Sequence, residues 1–225
     1  MPDKPFQSAT RVQVSLITSA EKNALAFFAA HMPSWVTSDQ LTVLGFAAQI
    51  MVGVSYALSR NNLQWLLWGI LFLILNWFGD SLDGTLARFR NRQRPRYGFY
   101  VDHVIDAIGT TALCVGLGFS ALMSPLIAAA LLVAFLLLAI EVYLATYTIG
   151  KFNLAFFYFG PTELRILLAL GNLAVFLRGP YSHIAGHNFL LFDIGAVCGI
   201  VGMCLILLYA AIRHTKLLYD EERLP

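Results

Sequence analysis

Long apolar segments separated by short polar segments are the main pattern of this sequence. A transmembrane helix needs about 20 mostly apolar residues, and six segments of this chain come close to or meet that requirement. They lie near 40–59, 63–82, 99–122, 124–148, 162–178 and 190–212. The pattern therefore predicts an all-α integral membrane protein with six transmembrane helices.

A further helix is predicted before the first span, over residues 18–32. Its mixture of charged and aromatic residues, followed by Pro33, suits an amphipathic juxtamembrane helix at the membrane surface, and it equally suits an ordinary packing helix. Thr37 and Gln40 form a capping-box pattern where the first span begins. Because no linker or repeat divides the chain, we expect one membrane-embedded domain over residues 1–225.

Composition agrees with this fold class. Hydrophobic residues make up 58% of the chain and charged residues 12%, with a mean hydropathy of +0.69, whereas about a quarter of the residues in a soluble domain are charged. The three cysteines, Cys114, Cys198 and Cys204, fall inside predicted spans, where we interpret them as packing residues. We expect membrane lipids as partners and no nucleic acid.

The basic residues predict the topology. In the six-span arrangement Arg60 and Arg178 fall on one side of the membrane and the other thirteen Lys and Arg on the opposite side. The positive-inside rule then makes both termini and the 88–97 loop cytoplasmic, in what we expect to be a bacterial inner membrane. The thirteen are Lys4, Arg11, Lys22, Arg88, Arg90, Arg92, Arg94, Arg96, Lys151, Arg165, Arg213, Lys216 and Arg223.

Four carboxylates lie at the cytoplasmic ends of the second and third spans. Asp80 and Asp83 are three residues apart, and Asp102 and Asp106 are four apart, so each pair shares one helical face. Carboxylates at membrane depth are costly and usually functional, and four together repel one another unless a cation neutralises them. Hard carboxylate oxygens favour Mg²⁺, with Mn²⁺ as a second possibility, and two ions would suit phosphoryl-type displacement.

Small and basic residues accompany the carboxylates. Gly84, Ala87 and Gly98 remove bulk beside them, which serves either close helix packing or space for a flat base or a pyrophosphate. Arg88 is placed to pair either with phosphate or with lipid headgroups. We interpret the tract from residue 90 to 96 as a turn broken by Pro95, with the third span beginning near Gly98.

Read as one string, these residues form Asp-x₂-Asp-Gly-x₂-Ala-Arg-x₉-Gly-x₃-Asp-x₃-Asp, from Asp80 to Asp106. This string resembles the signature of the CDP-alcohol phosphotransferase family, whose members displace CMP from a CDP-linked alcohol with the hydroxyl of a second alcohol. The resemblance implies that the four aspartates hold the divalent metals and that Asp106 is the leading candidate for general base. It also implies a CDP pocket and, commonly, a homodimer. The residues that would shape this pocket are Gly84, Ala87, Arg88 and Gly98.

The neighbouring residues bear on the substrate. Phosphatidylglycerolphosphate and phosphatidylinositolphosphate synthases typically follow the last aspartate with Lys or Arg, whereas Ala107 stands there in this chain. Asp102-His103-Val-Ile-Asp106 instead resembles choline and ethanolamine phosphotransferases, as do the stretches from Glu141 to Gly150 and from Gly160 to Glu163. That branch implies a CDP-choline or CDP-ethanolamine donor and a lipid hydroxyl acceptor. The alternative is a CDP-diacylglycerol donor with a small polar alcohol as acceptor.

Several roles stay open from the residues alone. His103 is either a base, alone or with Asp106, or an ordinary helix histidine. Glu163 either favours a helix N-terminus or belongs to the site, and Arg165 would bind an acceptor phosphate or a lipid headgroup. Glu141 has no assigned role. An ion or proton-coupled transporter is the competing class, but it predicts acids spread through the membrane rather than clustered at one end.

Overall fold

The structure, a computed structural model, describes residues 18–149, 160–184 and 186–223. Within these ranges the chain forms seven helices and one short β-hairpin. In chain order they are α1 (Thr18–His31), α2 (Ser38–Ser59), α3 (Trp65–Phe89), α4 (Pro95–Phe119), α5 (Pro125–Ile149), α6 (Pro161–Arg178), β1 (Tyr181–Ile184), β2 (His187–Leu190) and α7 (Leu191–Glu221).

Five helices in the described part of the chain are long and apolar enough to cross a membrane, namely α2, α3, α4, α5 and α7. This is consistent with a multi-pass membrane protein. The prediction of six spans is thus confirmed for five of them. The segment predicted as the fifth span, 162–178, is helical as α6, but its 18 residues include Glu163, Arg165 and Arg178, which makes it the most polar of the six.

Three polar side chains of α6 form hydrogen bonds with other helices. Thr162 donates a hydrogen bond to Glu21 of α1 at 2.8 Å, and Arg165 forms an ion pair with Asp80 near the end of α3 at 2.6 Å. One to two turns later, Asn172 donates to the backbone carbonyl of Leu66, near the start of α3, at 3.4 Å. Helix α6 therefore lies antiparallel to α3, and these polar contacts add to the apolar packing of Val175.

The local predictions around the first span agree with the structure. Helix α1 ends at His31, two residues before Pro33. Thr37 and Gln40 form the predicted capping box, in which the Thr37 amide donates to Gln40 Oε1 at 2.8 Å and the Gln40 amide donates to Thr37 Oγ1 at 3.3 Å. These bonds satisfy amides that the helix itself leaves without partners.

One local prediction was wrong, and one local feature was not predicted. Pro95 does not break a turn before the third span but begins α4, because a proline at the first helical position has no amide to lose and its φ already suits the helix. The outer connection between the last two helices is not irregular throughout, since β1 and β2 pair antiparallel with Tyr181 opposite Leu190. Gly186 in its turn has a φ of +81°, a conformation that glycine adopts without strain.

Glycines set the spacing of α2 against its neighbours. A Cβ on Gly79 of α3 would collide with the backbone of Leu41 and Gly45 in α2, and a Cβ on Gly116 of α4 would collide with the carbonyl of Gly53. Small residues of this kind let helix backbones approach closely in membranes. Helix α2 is therefore packed tightly between α3 and α4.

Two apolar clusters lie along these helices. One contains Val52 of α2 and Leu73 of α3 together with residues of α4, α6 and α7, and the other contains Leu41 of α2 and Leu82 of α3 together with residues of α1. Between the two clusters, α2 and α3 carry a layer of polar side chains that includes Thr42 and Gln49 on α2 and Asn76 and Asp80 on α3. That polar layer is where the candidate site lies.

Candidate metal and nucleotide site

A pocket where α2, α3 and α4 meet brings together three of the four predicted aspartates. Asp80 and Asp83 reach it from α3, and Asp106 reaches it from α4. Residues separated by more than twenty positions in the sequence thus face one space, as the antiparallel arrangement of the second and third spans predicts. The other residues that line this pocket are Thr42, Gly45, Phe46, Gln49, Asn76 and Ile105.

Asp83 is the most enclosed of the four aspartates, with 7% of its surface exposed. Thr42 of α2 donates its hydroxyl proton to Asp83 Oδ2 at 2.6 Å, and Ser38 donates to the Asp83 backbone carbonyl at 2.9 Å. Asp80 and Asp102 lie near enough for their charges to act on the Asp83 carboxylate. Asp102 therefore stands beside the cluster that the other three aspartates form.

Asp80 is paired with a cation from α6. Arg165 Nη2 donates to Asp80 Oδ2 at 2.6 Å, and Arg165 Nε donates to Asn76 Oδ1 at 2.7 Å. The structure thus gives Arg165 protein partners inside the site. The sequence suggested a different role for Arg165, in which its partner is an acceptor phosphate or a lipid headgroup.

His103 is held by aromatic and backbone contacts. Its Nδ1 lies 2.5 Å from the backbone carbonyl oxygen of Phe99, and its ring centroid lies 4.1 Å from that of Phe99 and 4.7 Å from that of Tyr143 in α5. Because a carbonyl oxygen only accepts, Nδ1 carries the proton and Nε2 is an acceptor in the neutral ring. Tyr143 also lies close enough to Asp106 for the two side chains to interact electrostatically.

The small residues of the motif are placed in two ways. A Cβ added to Gly98 would meet nothing within 4 Å, so close packing does not require this glycine, and Gly98 is not among the residues that line the pocket. Gly84 faces the guanidinium of Arg88, at 3.4 Å from the added Cβ, and Ala87 is half-buried. Arg88 itself is exposed and donates to Thr85 Oγ1 at 3.1 Å.

The remaining acids have partners outside the pocket. Glu141 of α5 pairs with His214 of α7 at 2.6 Å. Glu163 accepts a hydrogen bond from the Gly160 amide at 2.9 Å, which is the helix-start role considered for it, in the first turn of α6. Gly150, the last residue of the first stretch that resembles the choline and ethanolamine branch, lies outside the described residues.

Three polar residues of the pocket were not predicted from the sequence. Thr42 and Gln49 lie on α2, which carries no motif, and their side chains meet the aspartates because α2 packs against α3 and α4, whereas Asn76 lies one turn before Asp80 on α3 itself. A polar residue within an apolar span is a general signal for such a site. It does not tell which of several such residues reaches the pocket.

The donor set fits a hard divalent cation in its chemistry, since three carboxylates and a threonine hydroxyl face one pocket and oxygen is the ligand that Mg²⁺ prefers. Within the described ranges, no three His, Cys, Asp or Glu side chains converge closely enough to hold one ion. A contributing reason is that Asp80 is turned to Arg165 and Asp83 to Thr42. The metal and its four ligands therefore stay a prediction.

Comparison with known proteins adds the family. A protein-family model described as CDP-alcohol phosphatidyltransferase matches residues 35–208, which is more than half of the chain and includes α2 to α6 and most of α7. No curated protein matches the chain significantly. The matched region contains the whole string from Asp80 to Asp106.

Proposed function

This chain belongs to the CDP-alcohol phosphatidyltransferase family, and we propose that it transfers a substituted phosphate group from CDP-choline or CDP-ethanolamine to a lipid hydroxyl, with release of CMP. The family is one of transferases of phosphate-containing groups in lipid synthesis. A transferase accounts for the clustered aspartates and the basic 88–96 loop together, whereas a transporter accounts for neither.

One observation carries the proposal. Every fixed position of the string from Asp80 to Asp106 is present, and the fold brings three of its aspartates, from two helices, to one pocket. Apolar clusters lie on either side of this pocket. Charged groups act more strongly on a substrate in such surroundings than in water.

Asp80, Asp83, Asp102 and Asp106 would hold two Mg²⁺ ions, which when bound would polarise the diphosphate and stabilise the departing CMP. Gly98 leaves open space at the start of α4. Gly84, Ala87 and Arg88 share one face of α3, because they are three and four residues apart. We assign these four residues to the nucleotide and propose that the guanidinium of Arg88 binds a phosphate oxygen.

The attacking hydroxyl needs a base, and two residues one turn apart on α4 qualify. Asp106 lines the pocket and remains the leading candidate. His103 adds an acceptor nitrogen, Nε2, because its Nδ1 is turned to the Phe99 carbonyl. A positioned base of either kind would remove the proton from the attacking alcohol as the new phosphodiester bond forms.

The choice of donor is supported by Ala107 and by the sequence around His103 rather than by a contact. The alternative is a CDP-diacylglycerol donor and a small polar alcohol, as the family description itself suggests. Both donors deliver a nucleoside diphosphate to the same aspartates. They differ in which substrate must enter the site from the lipid.

We also propose that α6 is a sixth span, which places both termini and the pocket on the cytoplasmic side. Two contacts support this topology. The start of α6 lies at the carboxylate end of α3 through Arg165 and Asp80, and the start of α7 lies at the opposite end, where Asp193 accepts a hydrogen bond from the Ser124 amide at 2.8 Å. A bacterial inner membrane and a homodimer complete the proposal.

The proposal is tested by CMP release from purified protein in detergent with Mg²⁺, using CDP-choline, CDP-ethanolamine and CDP-diacylglycerol as donors. We expect turnover with one of the first two, and a loss of about 100-fold or more in Asp83→Ala and Asp106→Asn. Asp220→Asn, an exposed aspartate at the end of α7, is the matched control. Normal turnover in either site variant would exclude the proposed site, and turnover with CDP-diacylglycerol alone would exclude the donor.

A further inference from the structure

Arg165 connects three helices through a continuous chain of hydrogen bonds. Its Nε donates to Asn76 Oδ1 at 2.7 Å and its Nη2 donates to Asp80 Oδ2 at 2.6 Å. Asn76 in turn donates from Nδ2 to the backbone carbonyl of Gly45 at 2.9 Å. The chain therefore runs from α6 across α3 to α2, and its middle members line the pocket.

The surroundings make this arrangement rigid. The Arg165 side chain is 14% exposed and that of Asp80 is 36% exposed, while Asn76 is buried. A charge-assisted hydrogen bond is stronger and shorter than a neutral one, and the same guanidinium also donates to Asn76. The planar guanidinium also holds two acceptors at a fixed separation, which the single ammonium of a lysine does not.

Resting on the proposed function, we propose that Arg165 is a positioning residue for the metal site. Its guanidinium occupies Oδ2 of Asp80 and leaves Oδ1 as the oxygen available for ligation. Asn76 accepts from Nε on the same edge of the guanidinium and so fixes its orientation. Residues that orient a metal ligand through a hydrogen bond typically change metal affinity by about 10- to 100-fold when they are replaced.

The competing explanation is that Arg165 supplies only a charge, which neutralises Asp80 at membrane depth. The two explanations differ for Arg165→Lys, because lysine keeps the charge but cannot bridge Asn76 and Asp80. A positioning role predicts weaker metal binding in this variant. A role as counter-charge predicts binding like that of the unchanged protein.

The experiment measures Mn²⁺ binding to the full-length protein in detergent, without substrate, by the electron paramagnetic resonance signal of free Mn²⁺. Arg165→Lys is compared with the matched control Arg178→Lys, an exposed arginine at the other end of the same helix. We expect an affinity about tenfold lower in Arg165→Lys and no change in the control. Unchanged affinity in Arg165→Lys would overturn the inference.

Asn76→Leu provides a second measurement if Arg165→Lys does not fold, because it removes the other acceptor of the guanidinium and keeps the number of side-chain heavy atoms. It should weaken Mn²⁺ binding in the same direction, and normal binding would overturn the inference. Binding of Mn²⁺ without CMP release from any donor would contradict the proposed function while leaving the role of Arg165 intact. Absence of Mn²⁺ binding in the unchanged protein would overturn the inference itself.

Discussion

Thr42 of α2 donates a hydrogen bond of 2.6 Å to Asp83 of α3. Of the four aspartates of the site, Asp83 is the one that is buried. Because the two residues stand 41 positions apart, the bond depends on how α2 packs against α3. The glycines at the crossing, Gly45 and Gly79, permit that packing.

Replacement of Thr42 by valine tests this bond. Valine keeps the shape of threonine and removes only the hydroxyl, so the Asp83 carboxylate loses the donor that orients it. We expect kcat/KM for CMP release to fall about tenfold, with a higher Mg²⁺ requirement. Thr146→Val is the control, because Thr146 bonds only a carbonyl of its own helix. Equal effects of the two substitutions would assign the loss to helix stability instead.

His103 can be tested against a natural counterpart in the same chain. His31 of α1 has its Nδ1 2.8 Å from the Phe27 carbonyl and its ring 4.3 Å from the Phe27 ring, an arrangement nearly the same as that of His103 and Phe99. This local geometry therefore does not by itself indicate catalysis. What distinguishes His103 is its place one turn from Asp106.

We expect His103→Phe to lower the turnover number about 100-fold, because the ring contacts remain while the proton acceptor is lost. His31→Phe should leave turnover unchanged. The measurement is CMP release under saturating donor, with thermal unfolding as a check on folding. Full turnover in His103→Phe would leave Asp106 as the sole base.

Glu21 ties α1 to two other helices, since its Oε1 accepts from Trp77 Nε1 at 2.7 Å and from Thr162 Oγ1 at 2.8 Å. Glu21→Ala leaves both donors unpaired, and we expect a loss of about 2 kcal/mol in the free energy of unfolding. Glu21→Gln should cost much less because an amide oxygen still accepts both bonds. Unfolding in mixed micelles, followed by tryptophan fluorescence, gives these values.

Glu222→Ala, at the exposed end of α7, is the control for the Glu21 variants. A similar loss in Glu21→Gln and Glu21→Ala would show that the charge, and not the acceptor, holds the three helices together.

Gly116 should not tolerate a methyl group. The added Cβ would collide with the Gly53 carbonyl in α2, whereas a Cβ on Gly202 of α7 would meet nothing within 4 Å. We expect Gly116→Ala to destabilise the protein by about 1–3 kcal/mol through overpacking. Gly202→Ala should be neutral or slightly stabilising, since alanine is the better helix former. Thermal unfolding in detergent compares the two, and equal midpoints would contradict the close crossing of α2 and α4.

Sequence patterns predicted most helices because membrane spans require long apolar runs, and such runs are local. They also predicted that Asp80, Asp83 and Asp106 share one space. Helical spacing places each aspartate pair on one helix face, and the short connection makes α3 and α4 antiparallel neighbours. The position of Pro95 and the β-hairpin after α6 were missed. Both depend on local backbone conformation, which composition only weakly restricts.

The sequence by itself determined the class of protein, the helical spans other than α6, and the ordered string from Asp80 to Asp106 that indicates the family. Only the tertiary structure decided which side chains surround that string. Arg165 and Thr42 reach the aspartates from helices about 85 and 41 positions away, and Glu163 turns to its own helix start instead. The physical reason is that spacing along a chain sets which residues share a helix face, whereas the packing of small residues between helices sets which faces meet.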